Sequence, residues 1–139
     1  MEEYEKVLAL LRSPRGDAGQ ARVLAVVGLS PNPERPSFGV AARLQRAGLK
    51  IVPVNPGAQE ILGERCYPTL GTVPGDIDCV QVFRKSDDVP PVVDEAIEKG
   101  VKAIWMQTGI ENAEAALKAR RSGILVVMNR CLATDWVLR

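Results

Sequence analysis

The feature that most constrains this chain is a series of five short apolar runs: Leu24 to Val27, Ile51 to Val54, Val80 to Phe83, Ala103 to Met106 and Ile124 to Met128. None shows the polar alternation of a strand with one wet face. Strands that read this way are buried on both faces, as happens in a parallel sheet covered by helices. The runs lie about 20 to 30 residues apart, the length that a strand-helix-strand crossover needs. The expected architecture is a single doubly wound α/β domain over residues 1–139, with a five-stranded, mainly parallel sheet and helices on both faces.

Helices are expected in the intervals. Tyr4, Val7, Leu8 and Leu11 share one face of a leading helix, which Ser13-Pro14-Arg15-Gly16 ends. Ser37 can cap a second, with Val40, Ala41, Leu44 and Ala47 inward and Gly48 at its end. Ser86 can cap a third, with Asp87 and Asp88 at its positive end and Val89, Val92, Val93, Ala96 and Ile97 along one face before Gly100. A fourth is expected from about Glu111 to Arg121, with Ala113, Ala116, Leu117 and Arg120 on one side, and a short closing helix from Cys131 to Arg139. Glycines and prolines between Pro56 and Asp76 break any long helix there, so short turns and half-helices are expected.

Composition narrows the chemistry. There is no histidine, which removes Ser-His-Asp and Cys-His nucleophile systems, histidine-ligated zinc and phosphohistidine relays. Three dispersed cysteines, Cys66, Cys79 and Cys131, form no disulfide or zinc-binding pattern. Eighteen basic against seventeen acidic residues lack the excess charge of a nonspecific nucleic-acid binder. No apolar run approaches the ~20 residues that cross a bilayer, and the acidic start is unlike a signal peptide, so a cytoplasmic protein without a membrane partner is expected.

Ligands of open parallel sheets bind beyond the carboxyl ends of the strands. The first strand is followed by Gly28, Leu29 and Ser30, then by Arg35, Ser37, Phe38 and Gly39 at a helix start, where free N–H groups and the helix dipole suit a phosphate. Gly28 permits a tight turn, Gly39 a close approach, and Arg35 offers a fork of donors. The second strand ends at Asn55 and Pro56, the third at Phe83, Arg84 and Lys85, the fourth at Gln107, Thr108 and Gly109, and the fifth at Asn129 and Arg130. Phe83 can lie against an adenine or plug the sheet. Gln107 and Asn129 can bond an amide-bearing ligand or satisfy loop backbone. A small NAD(P)-dependent oxidoreductase is the alternative. It is disfavoured because Ser30 stands at the second glycine position of the dinucleotide fingerprint, and because no carboxylate ends the second strand.

As a set, Val27-Gly28-Leu29-Ser30 with Arg35-Pro36-Ser37, Val52-Pro53-Val54-Asn55-Pro56, Asp78 to Arg84, Trp105 to Gly109 and Val126 to Cys131 resemble the small stand-alone CoA-binding proteins. These are similar in fold to the amino-terminal domain of the succinyl-CoA synthetase α-subunit. The resemblance covers residues 20 to 136. It implies a Rossmann-like domain whose cofactor is coenzyme A, free or acylated, with the ADP part on the loop after the first strand. The synthetase phosphate loop falls on Gly28 to Ser30, its second-strand turn on Asn55 to Ala58, and its Thr-Glu-Gly stretch on Gln107-Thr108-Gly109. The synthetase lysine falls near Ala58 and its glutamate at Thr108, so those contacts are either missing here or replaced by Arg35 or Arg84. Binding without catalysis is the function implied, since the phosphohistidine chemistry has no histidine to use. Cys131, beside Arg130 near a helix start, is a candidate for a lowered thiol pKa and for a mixed disulfide with the CoA thiol.

Overall fold

The computed structural model describes residues 1–138, with side chains as far as Trp136. In chain order the elements are α1 (Glu3–Arg12), β1 (Val23–Val27), α2 (Pro36–Arg46), β2 (Lys50–Val54), β3 (Glu60–Ile61), β4 (Glu64–Arg65), β5 (Cys79–Val82), α3 (Val89–Lys99), β6 (Ala103–Met106), α4 (Ala113–Arg121), β7 (Leu125–Val127) and α5 (Leu132–Leu138). The main sheet has the order β2-β1-β5-β6-β7, and all four of its neighbouring pairs are parallel. β3 and β4 form a separate antiparallel hairpin inside the stretch that the glycines and prolines break up.

The apolar runs become strands because side chains alternate between two cores, one on each face. On one face, Leu24, Val26, Cys79, Ala103 and Trp105 pack under α1, α2 and α5 through Val7, Leu8, Leu11, Ala41, Leu44 and Leu132. On the other, Ala25, Val80, Val82, Ile104 and Met106 pack under α3 and α4 through Val89, Val93, Ala96, Ala116 and Ala119. Trp105 is fully buried, and its indole N–H donates to the Arg130 carbonyl at 2.7 Å, so its one polar atom is satisfied.

Several helix starts differ from the sequence reading. α2 is capped by the Arg35 backbone with Pro36 as its first residue, because proline's fixed φ and missing N–H suit that position. Ser37 lies inside the first turn, 5% exposed, and its hydroxyl accepts from the Ser30 N–H at 3.0 Å. Ser86 begins a single 3₁₀ turn that ends at Asp88, and α3 follows from Val89. The Ser86 hydroxyl accepts from the Glu111 N–H instead. α4 starts at Ala113 behind Asn112, whose side chain accepts from the Ala115 N–H. Its buried face is Ala115, Ala116 and Ala119, with Leu117 exposed, because an alanine-rich helix carries little apolar contrast and its neighbours set its facing. α5 begins at Leu132, and Arg139 lies outside the described residues.

Strand order fixes where a ligand can enter. The chain leaves β1 through α2 to β2 on one side and then returns past β1 to β5 on the other. Strand order therefore reverses at the boundary between β1 and β5, where a crevice opens above the strand ends.

Candidate ligand mouth at the carboxyl ends of the strands

Gly28 ends β1 at this crevice with φ +89°, a conformation that L side chains rarely adopt. Its N–H donates to the Val54 carbonyl at 2.9 Å, and the Phe83 N–H donates to Val27 at 2.8 Å, so three strand ends are drawn together. A Cβ on Gly28 would sit 2.4 Å from the Phe83 carbonyl oxygen. Only glycine fits.

Beyond Gly28 the loop is held by its own polar groups. The Ser30 N–H bonds the Ser37 hydroxyl, the Asn32 N–H bonds the Ser30 hydroxyl at 3.1 Å, and the Arg35 N–H bonds the Asn32 carbonyl at 3.0 Å. This lacing sets the angle at which α2 meets the crevice. Gly28, Ser30, Arg35, Pro36, Ser37 and Phe83 line a cavity of about 390 Å³. The opening amides of a helix have no intrahelical acceptor. Among the described residues the Phe38 amide turns back to the Arg35 carbonyl, whereas the Ser37 amide finds no acceptor. The Arg35, Arg84 and Lys85 side chains make no hydrogen bond or ion pair among the described residues. An open helix amide and the uncommitted Arg35 at this mouth, with Arg84 and Lys85 following Phe83 in the chain, suit a phosphate-bearing anion.

The other sequence candidates surround this mouth in distinct roles. Leu29 is fully buried, and its carbonyl accepts from Asn55 Nδ2 at 2.9 Å, while Asn55 Oδ1 accepts from the Gly57 N–H at 2.8 Å. The Asn55 amide thus ties the β2 turn to the mouth. Pro56, beside it, lines a second cavity of about 650 Å³ with Ala58, Gln59, Arg65, Cys66 and Pro68. Arg65 stacks over Tyr67 at 5.2 Å. Burial raises the pKa of the Cys66 thiol, which donates to the Asn55 carbonyl. Phe38 packs half-buried on the α2 side, and Gly39 is exposed with open space around it.

Gln107, 6% exposed, and Asn129 both serve the backbone of the fold. Gln107 Oε1 accepts from the Leu132 N–H at 3.3 Å, and Asn129, at φ +58°, accepts from the Gly109 N–H at 2.7 Å. Thr108 is exposed between them. The sequence reading passed over Gln81, a fully buried amide in the middle of β5 whose Nε2 donates to Gln107 Oε1 at 3.1 Å. A lone glutamine inside an apolar run was the available signal.

Comparison with known proteins identifies the family and the fold. Residues 22–136 match the model of the family described as CoA binding domain. The protein YneT of Bacillus subtilis is 39% identical over 113 residues, covering 81% of this chain and 84% of its own length. The ADP-forming acetate–CoA ligase II of Archaeoglobus fulgidus is 36% identical over 89 residues, and those cover 62% of this chain but only 13% of the ligase. Among solved structures, a hypothetical protein from Pyrococcus horikoshii superposes with a TM-score of 0.83 at 34% identity, covering 97% of this chain and 89% of that one. Among the described residues no helix is long and apolar enough to cross a membrane. The match over residues 22–136, with a relative 39% identical over 81% of the chain, places this protein in the CoA binding domain family.

Proposed function

We propose that this chain binds coenzyme A or an acyl-CoA in the mouth between β1 and β5, and that it performs no ligase chemistry of its own. The observation that carries the reading is the pairing of a backbone crossing only glycine can make, Gly28 against Phe83, with the open Ser37 amide and the uncommitted Arg35 guanidinium. The diphosphate lies against the start of α2, where N–H groups and the macrodipole favour negative charge. Adenine lies by Phe83 and the Asn55-Pro56 turn, and the pantetheine arm runs toward Gln107 and Asn129. Arg84 and Lys85 add positive charge at the rim.

A nicotinamide dinucleotide fits less well. The end of β2 offers Asn55, whose amide is spent on Leu29 and Gly57, where a ribose diol needs a carboxylate. The reaction of the ADP-forming ligases is not carried over, because the matched segment covers 13% of the A. fulgidus enzyme and the sequence has no histidine to phosphorylate.

Thermal denaturation with CoA, ADP and NADH tests the reading. A ligand that binds only the native state stabilises it by about 2.7 kcal/mol at a hundred times its Kd. CoA is expected to raise Tm progressively with concentration and NADH to leave it unchanged. No shift at millimolar CoA would overturn the proposal.

A further inference from the structure

Cys131 stands between β7 and α5, half-buried, at the same end of the sheet as the mouth. The charge of Arg130 does not act on it in the way sequence adjacency implied. That guanidinium is committed to Asp135, with Nε 2.6 Å and Nη2 3.1 Å from its carboxylate oxygens, and it lies 4.0 Å over the Tyr4 ring. The Cys131 sulfur sits instead in a nest of donors. Burial pushes its thiol pKa up, but hydrogen bonds from the Thr134 hydroxyl and N–H, the Gln107 amide and the Ala133 N–H outweigh this and hold the thiol below its ordinary value. Donors around a sulfur favour its nucleophilic thiolate form over the thiol.

The neighbouring buried amides are incompletely paired. The Leu132 N–H fixes which end of the Gln107 amide is oxygen, so its NH₂ end is the one left for Cys131. Gln81 donates to that same oxygen, and its own Oε1 is left with no partner among the described residues although the side chain is fully buried. A buried amide oxygen without a donor is costly, by about 1–3 kcal/mol. The buried Gln81–Gln107 pair, which meets the Leu132 N–H next to Cys131 in the chain, is therefore one hydrogen-bond donor short. A pantetheine arm carries two amide N–H groups and ends in a thiol, so it supplies both the missing donor and a sulfur.

The distances suit such an arm. β1, β5 and β6 are neighbours, and at the usual strand spacing Gly28 and Gln107 end strands about 10 Å apart. An arm that leaves a diphosphate at Ser37 and crosses the end of β5 arrives at Gln107.

We propose that Cys131 is a covalent docking site for the thiol of coenzyme A, forming a mixed disulfide with a CoA molecule seated in the mouth. This rests on the CoA-binding reading above. The reactant is the symmetric disulfide of CoA. The Cys131 thiolate attacks one of its sulfurs, the protein–CoA S–S bond forms as the CoA–CoA bond breaks, and the second CoA departs as a thiolate that takes a proton from water. The Cys131 sulfur rises from the thiolate to the disulfide oxidation level as the departing sulfur falls from the disulfide to the thiolate level, so the exchange needs no further oxidant. Cys66 and Cys79 are buried with thiol pKa values raised, so they do not compete.

The reduced full chain is incubated with CoA disulfide or with glutathione disulfide at equal concentration and followed by intact mass, alongside Cys131→Ser and Gln107→Leu. Expected are one CoA adduct per chain, released by dithiothreitol, absent in Cys131→Ser, slowed in Gln107→Leu, and formed at least tenfold faster than the glutathione adduct. Equal rates with the two disulfides would overturn the proposal, since Cys131 would then be a reactive thiol without a docked ligand. No adduct while CoA still raises Tm would overturn this inference and leave the binding reading standing. No adduct and no Tm shift would remove both.

Discussion

The two ends of the parallel sheet treat charge in opposite ways. At the amino ends, Asp78 is fully buried, yet Arg22 Nη1 lies 3.0 Å from one oxygen, the Val23 N–H lies 2.8 Å from the other, and Lys102 Nζ approaches to 3.5 Å. Arg15 Nε also comes within 3.0 Å, although its N–H is not aimed at the oxygen, so that contact is Coulombic rather than a hydrogen bond. Arg22 further donates to Ser13 and Pro14, which clamps the segment after α1 to the sheet. At the carboxyl ends, Arg35, Arg84 and Lys85 have no such answer among the described residues. A satisfied charge cluster serves the fold. Uncommitted cations around an open helix amide are stabilised only when an anion arrives from outside.

The two ends should therefore separate under mutation. The largest effect belongs to the amino end. Asp78→Ala leaves Arg22 and the Val23 N–H without their acceptor and is expected to cost about 3 kcal/mol, the lower part of the range for a broken buried pair, because Arg15 and Lys102 keep access to water. Urea denaturation reads this loss, and the Kd for CoA of the folded fraction should be unchanged. Next comes Gly28→Ala, in which the new methyl meets the Phe83 carbonyl across the mouth and φ is strained, at about 1–3 kcal/mol. It should weaken CoA binding at least tenfold by calorimetry, unlike Asp78→Ala. Arg35→Ala should leave Tm unchanged, since that side chain holds nothing in place. Removing one charge-assisted phosphate contact, about 1.5–3 kcal/mol, should weaken CoA binding roughly tenfold or more, with the loss larger at low salt than at high.

The pH response sharpens the same contrast. Burial pushes the Asp78 carboxyl upward, but the Val23 N–H and Arg22, with the charge of Arg15, outweigh it and hold the group below the ordinary carboxylate range. Its folded pKa is thus below its unfolded one, so its contribution is present above the unfolded value and is lost as pH falls through the folded one. Tm should drop below about pH 4, and Asp78→Asn should flatten that drop. The smallest effect is expected for Lys102→Ala, an exposed partner at 3.5 Å, within about 0.5 kcal/mol.

These two ends were not equally legible in the sequence. β1, β2, β5, β6 and β7 each fall within one residue of an apolar run at either end, because burial on both faces leaves a signal in composition alone. The mouth could be located from Gly28 and the strand ends, since the fold class dictates where ligands enter. The hairpin of β3 and β4 was missed, as two-residue strands carry no periodicity. Serine often caps a helix, and local sequence alone assigns Ser37 that role. The structure uses Pro36 for the helix start and gives the Ser37 hydroxyl to Ser30, a loop-to-helix pairing that local preference cannot reveal. Asp78 entered only as the first residue of a motif. Its partners Arg15, Arg22 and Lys102 are distant in sequence, although a lone carboxylate between Ile77 and Cys79 is a burial signal that could have been used.

Calorimetric titration of CoA into the reduced wild-type chain and into Gly28→Ala, side by side at one salt concentration, tests the central claim most directly. One CoA per chain with binding lost or at least tenfold weaker in Gly28→Ala is the expected result. Absence of binding to the wild type, or equal affinity in the two chains, would contradict a ligand seated between β1 and β5.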